Sequence, residues 1–155
     1  MDRRKLNKKK SQKGIALLEA LIAAVIVGIG FAAVYGLSVT STRVLLSSIE
    51  REKQNMLATM IYEDLITDKA NLISYHNQNF KQTSNSSTKS VKDMLNKWKS
   101  SADKKSGTAS TNDVRKISVV KKTGSGKGDY YVVTIDLASR DGKAKNQFKK
   151  VINKD

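Results

Sequence analysis

From Ile15 to Leu37 the chain reads I-A-L-L-E-A-L-I-A-A-V-I-V-G-I-G-F-A-A-V-Y-G-L, and Glu19 is the one charge in it. No charge follows until Arg43, so residues 20–42 are 23 consecutive uncharged positions. A membrane-spanning helix needs roughly 20. A secretory signal peptide has an apolar core of only about 7–15 residues followed by a small-residue cleavage site, and no A-x-A-like site follows this longer stretch. The pattern then changes from apolar all round to one-sided. Leu45, Leu46, Ile49, Met56, Leu57, Met60 and Ile61 fall within a little under half of a 3.6-residue wheel, with Leu65 at its edge and Arg51 and Lys69 opposite. Glu50, Lys53 and Asp64 project from the apolar half. No Gly or Pro interrupts residues 37–70, so one helix from about Ile15 to Asp68 is expected, and its second half needs a surface to lie against.

Residues 74–90, rich in Ser, Asn and Gln, read as loop. Val91, Met94, Leu95 and Trp98 then form an i, i+3, i+4, i+7 apolar stripe on a short helix, with Ser90 and Asp93 placed for a capping box. Residues 100–113 read as loop again. Three strand-like runs follow: Val114–Lys121, Tyr130–Leu137 and Gln147–Ile152. The second alternates, with Tyr131, Val133, Ile135 and Leu137 on one face. G-S-G-K-G at 124–128 supplies a turn, and Asp141-Gly142 favours a tight hairpin. The expectation is an α+β chain in which a long N-terminal helix packs on a small three-stranded antiparallel sheet. Its segments are 1–14, 15–42, 43–70 and 71–155.

The chain has 155 residues and a formal net charge of +15, with one His, no Cys and no Pro. These counts exclude disulfides, thiolate metal sites and His-clustered metal sites. Arg3, Arg4, Lys5, Lys8, Lys9, Lys10 and Lys13 stand against Asp2 alone in residues 1–14. Because this basic cluster precedes the span, the positive-inside rule places it in the cytoplasm and residues 43–155 across the membrane.

Basic leader, then Gly14, then an apolar helix with Glu19 at its fifth position is a specific arrangement, here K-K-K-S-Q-K-G-I-A-L-L-E-A-L-I. It resembles the class III leader of type IV pilins and type II secretion pseudopilins over residues 8–45. Within that superfamily L-L-E-A-L-I-A-A-V-I-V-G-I-G is most similar to PilV-like minor pilins and then to I-type minor pseudopilins. The resemblance implies a pilin-like fold and cleavage between Gly14 and Ile15 by a membrane prepilin peptidase. It also implies N-methylation of Ile15 and assembly through the long helix, on an inner-membrane platform, into a cell-surface or periplasmic filament with other pilins or pseudopilins. The chain departs from many members in having no Pro in the span and no C-terminal disulfide loop.

Elementary chemistry agrees. Gly14 lets an extended chain pass a protease cleft without a side chain. Cleavage would expose an ammonium one helical turn before Glu19, and a carboxylate in an apolar span needs such a partner. Ala24, Gly28, Ala32 and Gly36 form a small-xxx-small series suited to close helix packing. Two readings stand for the basic C-terminal run, whose candidate anion-binding residues are Lys121, Lys122, Arg140, Lys143, Lys149 and Lys150, with Lys127, Lys145 and Lys154 nearby. The preferred one is a solvated lysine-rich surface; the other is a binding patch for DNA phosphates during uptake by a minor pilin, or for acidic surface polymers. Glu50, Glu52, Glu63, Asp64 and Asp68 read as helix charges balanced by Arg51, Lys53 and Lys69, and His76 as a solvated loop residue. No catalytic constellation, metal site or cofactor site is expected.

Overall fold

A computed structural model describes residues 3–84, 86, 88–124 and 128–153, with side chains described from Ile15 onward except at Gly124 and Gly128. The expected turn at 125–127 and Lys154 lie outside the described residues. The chain divides into two compact units, Met1–Leu45 and Leu46–Asp155. Helix α1 runs from Arg3 to Thr67, so it begins inside the basic leader. The leader contains Arg, Lys, Leu and Gln, all good helix formers, and no proline.

In the first unit the apolar residues Ile15–Leu37 stand open, with Leu17 and Phe31 each 73% exposed. Thr40 and Thr42 turn their hydroxyls back onto the helix, donating to the carbonyls of Gly36 and Ser38 at 2.9 Å. These bonds satisfy polar groups without a partner outside the helix.

The second unit is an α+β domain. A 3-10 helix (Lys69–Tyr75) and strand β1 (Gln78–Asn79) lead to α2 (Lys89–Ser106) and strands β2 (Val114–Gly124), β3 (Gly128–Ser139) and β4 (Ala144–Asn153). The sheet is antiparallel in the order β1-β2-β3-β4. It therefore has four strands where the sequence predicts three. The extra one falls in the expected loop 74–90, and a two-residue strand is too short to show an alternation of its own. Leu57, Ile61 and Leu65 of α1, Leu72 and Tyr75, Val91, Leu95 and Trp98 of α2, and the alternating Ile117, Val119, Val133 and Ile135 form one core. Trp98 sits between Tyr75 and Phe80, with ring centroids at 5.3 and 6.0 Å. Burying side chains of this kind contributes roughly 1.5–3 kcal/mol each.

Three local expectations change. Helix α2 continues to Ser106, six residues beyond the expected loop start at 100. No capping box forms: Thr88 occupies the N-cap without a side-chain bond, and Ser90 donates to Asp68 at 3.1 Å instead. The buried face of α1 is also rotated from the expected one. Leu46, Ile49 and Met56 are exposed, Met60 is partly buried, and the face against the sheet is Gln54, Leu57, Ala58, Ile61, Tyr62 and Leu65.

Polar partners on the globular part explain that rotation. Ser139 Oγ donates to Glu50 Oε1 at 2.6 Å and accepts from Gln54 Nε2 at 2.8 Å, while Asn146 Nδ2 donates to Gln54 Oε1. Asp64 accepts from Lys97 Nζ at 2.6 Å and Trp98 Nε1 at 2.7 Å. Asp68 accepts from Asn71 at 2.7 Å and the Tyr75 hydroxyl at 2.6 Å. These acids are thus tied to the 3-10 helix, α2 and the sheet, and not chiefly to cations on their own helix. Lys53 lies 3.9 Å from Glu50, the far limit of an ion pair.

Candidate functional site

Two groups of residues carry the chemistry expected from the sequence, and the first is on α1. Gly14 and Ile15 are consecutive helical residues, with Ile15 63% exposed. Glu19 follows Ile15 by four, one turn on along the same face, and is exposed, with no ion pair to another described residue. The leader cations Arg3, Arg4, Lys5, Lys8, Lys9, Lys10 and Lys13 lie on the helical backbone, but their side chains are outside the described part. The helix is long and apolar enough to cross a membrane. Its first turn after a cut at Gly14 would present an ammonium and a carboxylate on an apolar rod, where each is the other's available partner.

Residues 9–35 match the family described as the prokaryotic N-terminal methylation motif. That motif indicates a type IV pilin-like or pseudopilin N-terminus. The matched stretch contains Gly14, Ile15 and Glu19 and ends within the apolar run. It implies processing by a prepilin peptidase and assembly with other pilins, and the apolar helix bearing it is consistent with a membrane anchor. No curated protein and no solved structure matches the chain.

The second group, the basic C-terminal run, is not brought together as one patch. Neighbouring strand residues point to opposite faces, so Lys121 and Lys122 separate, and so do Lys149 and Lys150. Lys121 pairs with Asp129 at 2.5 Å, and that bond raises its pKa. Lys150 Nζ stands 5.5 Å from the centre of the Tyr62 ring, a cation–π arrangement. Burial pushes the Tyr62 hydroxyl up to about 12, and it has no hydrogen-bond partner among the described residues. Arg140 and Lys143 lie in the β3–β4 turn, where Arg140, Asp141 and Gly142 all have positive φ. Asp141 accepts from Ser110 at 3.0 Å and Asn112 at 2.9 Å, and these bonds lower its pKa. Lys122 and Lys149 are exposed on the face of the sheet away from the core.

The sequence did not bring forward Arg115, which is buried and anchors the end of α2. It binds Asp103 Oδ1 at 2.5 Å and the Gly107 carbonyl at 2.7 Å. Its place in line with Ile117 and Val119 on the inward positions of β2 was the available signal. His76 is exposed, 3.5 Å from Ser118 Oγ. Among the described residues no group of three or more His, Cys, Asp or Glu is placed to hold a metal.

Proposed function

We propose that the chain is a minor pilin of a type IV pilus-like filament. It is cut between Gly14 and Ile15, methylated on Ile15, and incorporated through α1 by an inner-membrane platform, where it helps prime assembly. Its part is structural, without enzymatic activity or a cofactor. The observation that carries this reading is the methylation motif over residues 9–35, set on a helix whose apolar surface is open from Ile15 to Leu37. The V- and I-type resemblance of the span supports the minor role.

In this reading Glu19 pairs with an N-terminal ammonium inside the filament, and breaking such a buried pair costs about 3–5 kcal/mol. The experiment has two arms. N-terminal sequencing of the membrane-borne protein is expected to start at Ile15, and a start at Met1 in cells with active prepilin peptidase refutes processing. Glu19→Leu is expected to be cut and retained in the membrane but missing from sheared filaments. Normal incorporation of that variant removes the assigned role of Glu19.

A further inference from the structure

The face of the sheet turned away from the core carries lysines in two rows. On β2 the outward positions include Lys116 and Lys122, and on β4 they include Lys145 and Lys149. All four are exposed, and none makes an ion pair with another described residue. β2 and β4 are second neighbours across β3, so the rows stand about 10 Å apart, at 4.7–4.9 Å per strand. Along the strands Lys116 and Lys122 are about 20 Å apart, and Lys145 and Lys149 about 13 Å, at some 3.3 Å per residue. Between the rows β3 presents Tyr130, Val132 and Thr134, with Asp136 the one acid. Asp136 lies in register with Lys116 and Gln147, and its Oδ1 accepts from Gln147 Nε2 at 2.7 Å.

Two rows of lysines on strands about 10 Å apart complement a polymer with two rows of phosphates. Duplex DNA has them on either side of its grooves, which are about 6 and 12 Å wide. The face offers no stacking platform beyond Tyr130, so unpaired bases have little to lie on. The opposite face of the sheet packs against α1 and α2.

We propose that this outer face binds duplex DNA without sequence preference, through phosphate contacts from Lys116, Lys122, Lys145 and Lys149. Of the six cations singled out in the sequence, it keeps Lys122 and Lys149. Lys121 and Lys150 lie on the other face, and Arg140 and Lys143 in the turn. The binding does not depend on the filament reading, because it is a property of the isolated chain.

The test is a salt titration of duplex binding by the full chain in neutral detergent. Four phosphate contacts give a slope of log K against log[salt] of about −3.6. Changing all four lysines to Gln is expected to remove about three units or more of slope, and each single change about one. A control with Lys89, Lys92, Lys104 and Lys105 of α2 changed to Gln loses the same charge and is expected to keep its slope within about one unit. Single-stranded DNA, with one row of phosphates, is expected to bind with less than half the duplex slope, as two contacts give about −1.4. Thermal unfolding of each variant checks that it is folded. The proposal is overturned if the duplex fails to bind at low salt, if the α2 control loses as much as the face variant, or if single strands bind as steeply as duplex. Displacement of the duplex by a polyol-phosphate polymer at equal phosphate concentration also overturns it, by assigning the face to that polymer.

Discussion

Asp64 is the sharpest test of how the second unit is held together. Its Oδ2 accepts from the indole Nε1 of Trp98 at 2.7 Å and its Oδ1 from Lys97 Nζ at 2.6 Å. Trp98 is fully buried, the Asp64 side chain is 15% exposed, and that of Lys97 is 51% exposed. The two bonds should therefore differ in weight. Asp64→Ala strands a buried indole N–H, which costs about 1–3 kcal/mol, and removes a half-exposed ion pair worth about 0–1 kcal/mol. The expected loss is about 2–3 kcal/mol, against less than about 1 kcal/mol for Lys97→Ala.

At roughly 4 °C or more per kcal/mol for a domain of this size, the midpoint should fall by about 8–12 °C for Asp64→Ala. Trp98 is the only tryptophan in the chain, so its fluorescence in the full chain in detergent reports the event directly, and circular dichroism serves where Trp98 is itself changed. Trp98→Phe removes the stranded donor, so Asp64→Ala made in that background should cost clearly less than in the native one. Equal losses for Asp64→Ala and Lys97→Ala, or strict additivity with Trp98→Phe, would refute the reasoning.

The facing of α1 is tested by Ile61→Asp, which puts an unpaired charge into the core and is expected to abolish cooperative unfolding; Arg51→Asp, at an exposed position, should stay within about 0.5 kcal/mol, and Met60→Asp, at a partly buried site, should fall between them. Acid stability is tested at Asp103. Burial alone would raise its pKa, but hydrogen bonds from Lys99 and Arg115 outweigh that and hold it below its ordinary 3.8. A folded pKa below the unfolded one gives stability that is present above about pH 4 and lost as the pH falls through the folded value. Unfolding midpoints of the native chain should therefore drop below about pH 4, and those of Asp103→Asn should be lower at neutral pH and flatter in that range.

The helix, its open first half and the alternation of β3 were legible because each repeats a period many times. Residues 20–42 hold no charge, and Tyr131, Val133, Ile135 and Leu137 are all buried on one face. The apolar stripe of α2 was legible for the same reason, with Val91, Leu95 and Trp98 fully buried. Single contacts were not. Ser90 resembles a cap residue by spacing, yet Asp68, 22 residues earlier in the chain, holds its hydroxyl. The buried face of α1 was misplaced because the wheel weighs Gln54 as polar and hence outward, and takes Glu50 for a charge that interrupts the apolar half. Both are buried, because the sheet offers Ser139 and Asn146 as partners, and a one-element pattern contains nothing about the element opposite.

The basic run shows the converse, an error that the sequence itself contained part of the means to avoid. Lys121-Lys122 and Lys149-Lys150 look like dense charge when read along the chain, and density suggests one patch. In a strand, adjacency means opposite faces, so Lys149-Lys150 must divide inside its expected run, and Lys121-Lys122 divides because β2 continues past the expected end at Lys121. The members on the core side then need local partners, which they have in Asp129 and the Tyr62 ring. The outer face gathers its lysines at spacings of four and six residues along β4 and β2, so Lys116, outside the dense run, belongs with Lys122, and Lys121 does not. Counting every second residue in the expected runs yields Lys116 and Lys149; Lys122 and Lys145 join them because the strands extend to Gly124 and back to Ala144. The antiparallel order β2-β3-β4 adds a further fact that counting cannot supply, that the two rows lie on either side of a nearly uncharged strand.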